Sequence, residues 1–261
     1  MIDTTSLRPH RVNGGRVEHD GSRARLTLPP TGANAYADAQ LDDYPHAPPR
    51  RFKHAPPQRV IVRARFSSND LKGTAGFGFW NDPFTQNGGV SEPPCSVWFF
   101  YSSPESDLRV ARDSPGHGFT AAMLNSYPST NRAVAGAFGL LTKLGAPLLN
   151  WMLRRPALAG LVLSAARATV QAREVLLDVD MTAWHDYGLD WQSDLAVFTL
   201  DGRVVLRASH PPRAPLGFVA WIDNYRATAS GGASRGASAY EFAYVDVRQE
   251  QWMELEIRQG P

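Results

Sequence analysis

A single cysteine, Cys95, is all the chain carries, which excludes an internal disulfide. That usage fits a reducing compartment, and a cytoplasmic location is the expectation. The first stretch, MIDTTSLRPHRVNGG, lacks the apolar core of a secretory leader. No apolar run reaches the roughly 18 residues that a spanning helix needs. Charge of either sign is in short supply: 27 Lys and Arg stand against 25 Asp and Glu, a net charge of +2. Phosphate binding needs a concentrated basic surface, so no nucleic-acid partner is expected. HExxH, CxxC, a P-loop and a glycine-rich dinucleotide fingerprint are all missing. Ser103, Ser114 and Ser164 lack a nucleophile-elbow setting. Asp and His are too scattered to name a metal site, and no cofactor is expected.

What is present reads as β-structure. The 261 residues suffice for one large all-β domain or two small ones, and 43% hydrophobic residues is enough for a core. Trp184 to Val205, WHDYGLDWQSDLAVFTLDGRVV, predicts strand, turn, strand, hairpin and strand, with Asp201-Gly202 as the hairpin turn. Val17 to Leu28 predicts a first hairpin around Asp20-Gly21. Arg59 to Ser67 alternates cleanly, with Val60, Val62, Ala64 and Phe66 on one face. Thr74 to Trp80 and Cys95 to Tyr101 are strands of high β-propensity, and Leu216 to Tyr225, Tyr240 to Val247 and Met253 to Ile257 close the series. Pro45 to Pro57 is a proline-rich surface connector with a local basic patch of His46, Arg50, Arg51, Lys53 and His54.

The stretch from Trp184 resembles glycoside hydrolase family 16. Trp184-His185, Tyr187, Trp191, Phe198, Asp201-Gly202 and Val205 match the family's WHxYxxxW…FxxDGxxV pattern. The resemblance covers about residues 59 to 110 and 184 to 247. It implies a concanavalin A-like jelly-roll sandwich, a single domain over residues 1-261. It also places Trp80-Asn81-Asp82 at a substrate-contacting loop. Ala243 occupies the place of an Asp that often holds a structural calcium in the family. Retaining glycosidases need two carboxyl groups about 5 Å apart. The family supplies them from Glu-x-Asp-x-x-Glu or Glu-x-Asp-x-Glu on one strand. Here Cys95 to Tyr101 has no acid, and Glu105-Ser106-Asp107 lacks the second Glu.

Period-two spacing puts Tyr36, Asp38, Gln40 and Asp42 on one face, either lining a polar cleft or forming a solvated edge strand. Trp80 is either core or cleft, since aromatic faces serve both. Trp221, Asp223 and Tyr225 share a face by alternation. The ligand-contact candidates are therefore Trp80, Trp98, Trp221, Tyr225, Tyr36 and Asp38, for a small-molecule or oligosaccharide ligand. The acid/base candidates are Asp223, Asp82 and His185, with His185 paired to an acid such as Asp38, Asp82 or Asp223, or held structurally by backbone.

Residues 131-177 break the β pattern. Val134, Phe138, Leu141, Leu144, Leu148 and Met152 recur at helical spacing, and a second helix from Pro156 carries Leu158, Leu161, Val162, Ala165, Thr169 and Ala172. This predicts a basic two-helix insertion. Three roles fit the whole chain: a binder of a carbohydrate or apolar ligand that has given up hydrolysis, an acid/base enzyme of changed chemistry (isomerase, cyclase, lyase or residual glycosidase), and a membrane-surface or homodimer contact through 131-177.

Overall fold

The structure is a computed structural model that describes residues 2–46, 51–83, 94–107, 116–126, 171–229 and 240–259. These form sixteen strands in chain order. The N-terminal four are β1 (Arg8–Val12), β2 (Arg16–Asp20), β3 (Arg23–Leu28) and β4 (Asp38–Asp42). Then come β5 (Gln58–Phe66), β6 (Thr74–Trp80), β7 (Cys95–Ser102), β8 (Gly118–Asn125) and β9 (Gln171–Leu176). The rest are β10 (His185–Trp191), β11 (Leu195–Leu200), β12 (Arg203–Ser209), β13 (Gly217–Asp223), β14 (Tyr225–Ala229), β15 (Tyr240–Tyr244) and β16 (Gln251–Gln259).

Two seven-stranded antiparallel sheets stack into a sandwich. The first runs β1-β4-β13-β6-β7-β8-β9 and the second β12-β11-β10-β5-β16-β3-β2. The chain crosses between sheets from β3 to β4 to β5 to β6, the interleaving of a jelly roll. Strand alternation accounts for the core. Ala75, Phe77 and Phe79 of β6, Val97 and Phe99 of β7, and Phe218 and Ile222 of β13 point inward from the first sheet. Val60, Val62, Tyr187, Leu189, Trp191 and Phe198 meet them from the second. Phe77 and Phe99 pack edge-on or tilted against Tyr187 at 5.3 and 5.1 Å between ring centroids.

The outer face of the second sheet is charged. Arg25 and Arg65 both reach Glu254, at 2.5 and 2.7 Å, and both guanidinium groups lie over the Trp252 ring. Trp184, 38% exposed, lies beneath Arg63 and Arg65. The Asp201-Gly202 hairpin forms as the sequence indicates, with φ of 49° and 76° at its two turn residues.

The structure departs from the sequence expectation at β9 and at His54, and adds strands β8 and β1 that the sequence does not mark. Residues 171–176 are strand β9 rather than the end of a helix, pairing from Leu176 to Gln171 along β8. Nearly all the remainder of the expected insertion lies outside the described residues. Strand β8 itself, GFTAAMLN, gives no clear pattern in the sequence and is nevertheless an interior strand of the first sheet, between β7 and β9. Strand β1 contains Pro9, which an edge strand accommodates because its missing N–H breaks no ladder bond there. The connector's basic patch also dissolves in part: His54 is buried and hydrogen-bonded to the Asp43 carboxylate.

Candidate functional site

The outward face of the first sheet is built on a lattice of strand pairings. Asp42, Val219, Gly78, Trp98 and Ala122 lie in one row across β4, β13, β6, β7 and β8. Gln40, Trp221, Gly76, Phe100 and Thr120 form the next row, and Asp38, Asp223, Thr74, Ser102 and Gly118 the third. Trp80 begins the lattice at the other end, opposite Gly217.

Three indoles meet on this face. The ring centroids of Trp80 and Trp98 are 5.6 Å apart, those of Trp98 and Trp221 5.3 Å, and those of Trp80 and Trp221 6.2 Å with planes only 8° from parallel. Phe100 stacks on Trp98 at 5.3 Å. Tyr44, Val219 and Trp221 form a hydrophobic cluster separate from the sandwich core, with Trp80, Trp98, Phe52 and Phe100 packed against it.

Glycines on β6 explain how bulky rings fit on one face. A Cβ at Gly76 would come within 2.8 Å of Trp221 Cη2, and one at Gly78, where φ is +148°, within 2.6 Å of Trp98 Cα. The bare β6 backbone thus leaves room for the Trp98 and Trp221 side chains beside it. Trp80 Nε1 donates to Tyr44 Oη at 2.5 Å, and Trp221 Nε1 to Thr74 Oγ1 at 2.9 Å. The Trp80 and Trp221 indole N–H groups are therefore satisfied and those two rings oriented.

Polar groups line the β4 side. Asp42 accepts from Gln40 Nε2 at 2.8 Å and bonds His46 Nε2 at 2.9 Å. His46 stacks on His10 at 4.3 Å. Burial, then the neighbouring His46, holds the His10 ring below the usual imidazole range. The Asp38 to Asp42 segment is an interior strand between β1 and β13, with Asp38 and Asp42 buried, not a solvated edge.

Asp38 and Asp223 face each other across β4 and β13. Asp223 is well bonded: Thr74 donates its N–H at 3.2 Å and Oγ1–H at 2.8 Å, Tyr225 its N–H at 3.0 Å, and Tyr36 its Oη–H at 3.4 Å. Burial nevertheless outweighs these donors and pushes the Asp223 carboxyl up to about 6. Asp38 is raised too, by burial first and then by the charges of Asp223 and Asp42, and its Oδ1 has no hydrogen-bond partner. Tyr36, Tyr225 and Tyr244 pack on one another at 5.5 to 6.2 Å between centroids, and the Tyr36 hydroxyl joins this cluster to Asp223. Burial lifts the Tyr36 and Tyr225 phenols above their usual range, so both stay protonated donors at neutral pH.

The structure thus gathers Trp80, Trp98, Trp221, Tyr36, Tyr225, Asp38 and Asp223 on or beside one face. It separates the other two acid/base candidates from Asp223. Asp82, at φ +41°, follows β6 at the Trp80 end, where its charge acts on the buried Tyr44 phenol. Asp223 pairs with Thr74 at the opposite end of β6, so about 20 Å of strand lies between them. His185 belongs to the second sheet. Its Nδ1 bonds Asp201 Oδ2 at 2.7 Å and its Nε2 the Asp180 carbonyl at 3.2 Å, a structural tie across the hairpin rather than a pairing with Asp38, Asp82 or Asp223. Glu105 forms an ion pair with Lys72 at 2.9 Å, and the outward positions of β7 are Ser96, Trp98, Phe100 and Ser102, without an acid. Sequence reasoning missed Tyr44 and Phe100 as parts of the aromatic surface. Alternation from Trp98 would have found Phe100, and continuing the Tyr36, Asp38, Gln40, Asp42 series by one step would have found Tyr44.

Among the described residues no group of three or more His, Cys, Asp or Glu is placed to hold a metal ion, and no helix is long and apolar enough to cross a membrane. A separate concavity of about 560 Å³ lies near Lys72, Glu105, Tyr244 and Gln251, away from the tryptophans.

Raised carboxyl groups make stability depend on pH. Between about 4 and 6 the unfolded chain has lost the Asp223 proton while the folded chain keeps it, so stability falls as pH rises through that window. The cost at neutral pH is on the order of 3 kcal/mol for a shift from 3.8 to about 6. Asp38→Asn should remove the opposing charge and raise the melting temperature at pH 8 more than at pH 4. Equal effects at both values in a thermal denaturation series would contradict this electrostatic account.

No protein-family model matches the chain, and no curated protein matches it by sequence. Solved structures similar to it include a Bacteroides ovatus mixed-linkage glucan family 16 glycoside hydrolase in complex with a product. That structure has a TM-score of 0.47 and 9% identity, covering 98% of this chain and 94% of that one. A Bacillus licheniformis β-glucanase gives a TM-score of 0.46 and 13% identity, covering 97% of this chain and 91% of that one. A family 16 protein from Mycobacterium smegmatis gives 0.42 and 10%, covering 91% and 75%.

Proposed function

We propose that this chain binds a carbohydrate across the outward face of its first sheet and does not hydrolyse it by a family 16 mechanism. The observation that carries this reading is the contact of Trp80, Trp98 and Trp221 on a sheet face that the core does not use. Flat pyranose faces stack on indole, and the adjacent, half-buried Gln40 offers a hydrogen-bond partner for ring hydroxyls. Without an acid on the outward positions of β7, the paired carboxyl groups of a retaining glycosidase are not available from that strand.

The test is titration of the protein with neutral β-linked glucose tetramers, followed by tryptophan fluorescence and calorimetry. Saturable binding that quenches indole emission is expected, with no reducing ends appearing on prolonged incubation. Release of shorter sugars would overturn the non-hydrolytic part, and absence of binding to any oligosaccharide would overturn the rest.

A second reading rests on Asp38 and Asp223. Two opposed, desolvated carboxyl groups beside a phenol can hold one proton between them near neutral pH, the arrangement an acid/base catalyst of changed chemistry needs. Turnover that is lost in both Asp38→Asn and Asp223→Asn, with a pH profile breaking near 6, would favour it.

A further inference from the structure

We infer that the Asp38–Asp223 end of the aromatic face is a subsite for a positively charged ammonium group, so that the preferred ligand is a cationic saccharide such as an oligomer of unacetylated glucosamine. This deepens the carbohydrate reading and rests on it for the saccharide part only.

Asp38 is 2% exposed, its Oδ1 has no partner, and alternation along β4 puts it on the Trp221 side, because Ala39 and Leu41 take the core side. Every charge that acts on it, from Asp223 and Asp42, is negative. A buried carboxylate usually has a cation or several donors to compensate its lost hydration. Asp223 has its donors from Thr74, Tyr225 and Tyr36. Asp38 has none, and among the described residues no Lys, Arg or His forms an ion pair with either acid. One NH₃⁺ group placed between them would supply up to three donors and the missing positive charge.

The surroundings select for a cation in a second, independent way. The Tyr36 phenol bonds Asp223 and packs against the Tyr225 and Tyr244 rings, and the Trp221 ring lies one lattice row away. Aromatic rings present negative faces, and a cage of them beside a carboxylate is a recurrent solution for substituted ammonium groups. A neutral sugar would gain from the tryptophans alone. A sugar carrying an ammonium group at the β13 end of the face gains from the rings and from both acids.

The experiment uses the full chain and four probes at pH 6: tetraglucosamine, tetra-N-acetylglucosamine, a neutral glucose tetramer and tetramethylammonium. The expected result is that tetraglucosamine binds at least about tenfold tighter than either neutral tetrasaccharide. The preference should fall to about twofold or less in Asp38→Asn, whose fold is checked by its melting temperature. Equal affinity for charged and neutral tetrasaccharides overturns the ammonium subsite while leaving the carbohydrate reading standing. So does a preference that Asp38→Asn does not change. Binding of tetramethylammonium with no binding of any saccharide supports the subsite and overturns the carbohydrate reading. Failure of all four probes to bind overturns both.

Discussion

Gly78→Ala should lower the stability of the protein by roughly 3 kcal/mol, combining a strained backbone with overpacking. For a domain of this size that corresponds to a melting-temperature drop of about 10 °C. Two effects add at this position. The residue sits at φ +148°, and its new methyl would come within 2.6 Å of Trp98 Cα, Trp98 Cβ and the Val97 carbonyl oxygen. Two of those atoms are backbone on a strand hydrogen-bonded on both sides, so neither can retreat cheaply. Gly202→Ala isolates the conformational part: φ there is +76°, and nothing lies within 4 Å of the added carbon. It should cost only about 1 kcal/mol. Calorimetric melting of the two variants side by side is decisive. If they melt together, Gly78 is not what holds β6 and β7 close enough for Trp98 to join the aromatic surface.

The second large effect concerns binding. Trp98 lies in the middle of the aromatic surface, in contact with Trp80, Phe100 and Trp221. A ligand that covers roughly 80 Å² of its indole gains about 2 kcal/mol from that contact. Trp98→Ala should therefore weaken oligosaccharide affinity by about 30-fold. Trp252→Ala is the matched control, since that indole lies under Arg25 and Arg65 on the opposite outer face. It should leave affinity unchanged while lowering stability modestly. Calorimetric titration of both variants with the same tetrasaccharide provides the comparison. An unaltered dissociation constant in Trp98→Ala would move the ligand away from this face.

Much of the sandwich is legible from period-two alternation. Arg59 to Phe66 and His185 to Trp191 carry bulky apolar residues at every second position, and both are central strands of the second sheet. Strand β9 is not legible, because QAREVL is composed mostly of good helix formers and only pairing to β8 makes it extended. Strand β8 is hidden for a different reason. Its Thr-Ala-Ala centre lacks the large side chains that mark a buried strand, since Phe119 and Met123 alone supply its weight to the core.

The site divides the same way. That Trp221 and Asp223 share a face follows from their spacing. That Asp38 stands opposite Asp223 does not, because the register joins residues 185 positions apart and no local pattern encodes it. The His185–Asp201 tie was within reach. The Gln192-Asp194 turn sets the β10–β11 register, with Tyr187 against Leu200, and so brings Asp201 back beside the start of β10. His185 of the WH pair and Asp201 of the DG pair are thus joined at the open end of the β10–β11 hairpin.

The two outer surfaces of the sandwich differ in kind. On the second sheet Trp252 and the exposed Trp184 lie beneath guanidinium groups, and those of Arg25 and Arg65 are tied to Glu254, so water meets ions there. On the first sheet no Lys or Arg among the described residues stacks over Trp98 or Trp221. Under the proposed function, a polymer would settle against the indole side while the ionic side stays wetted.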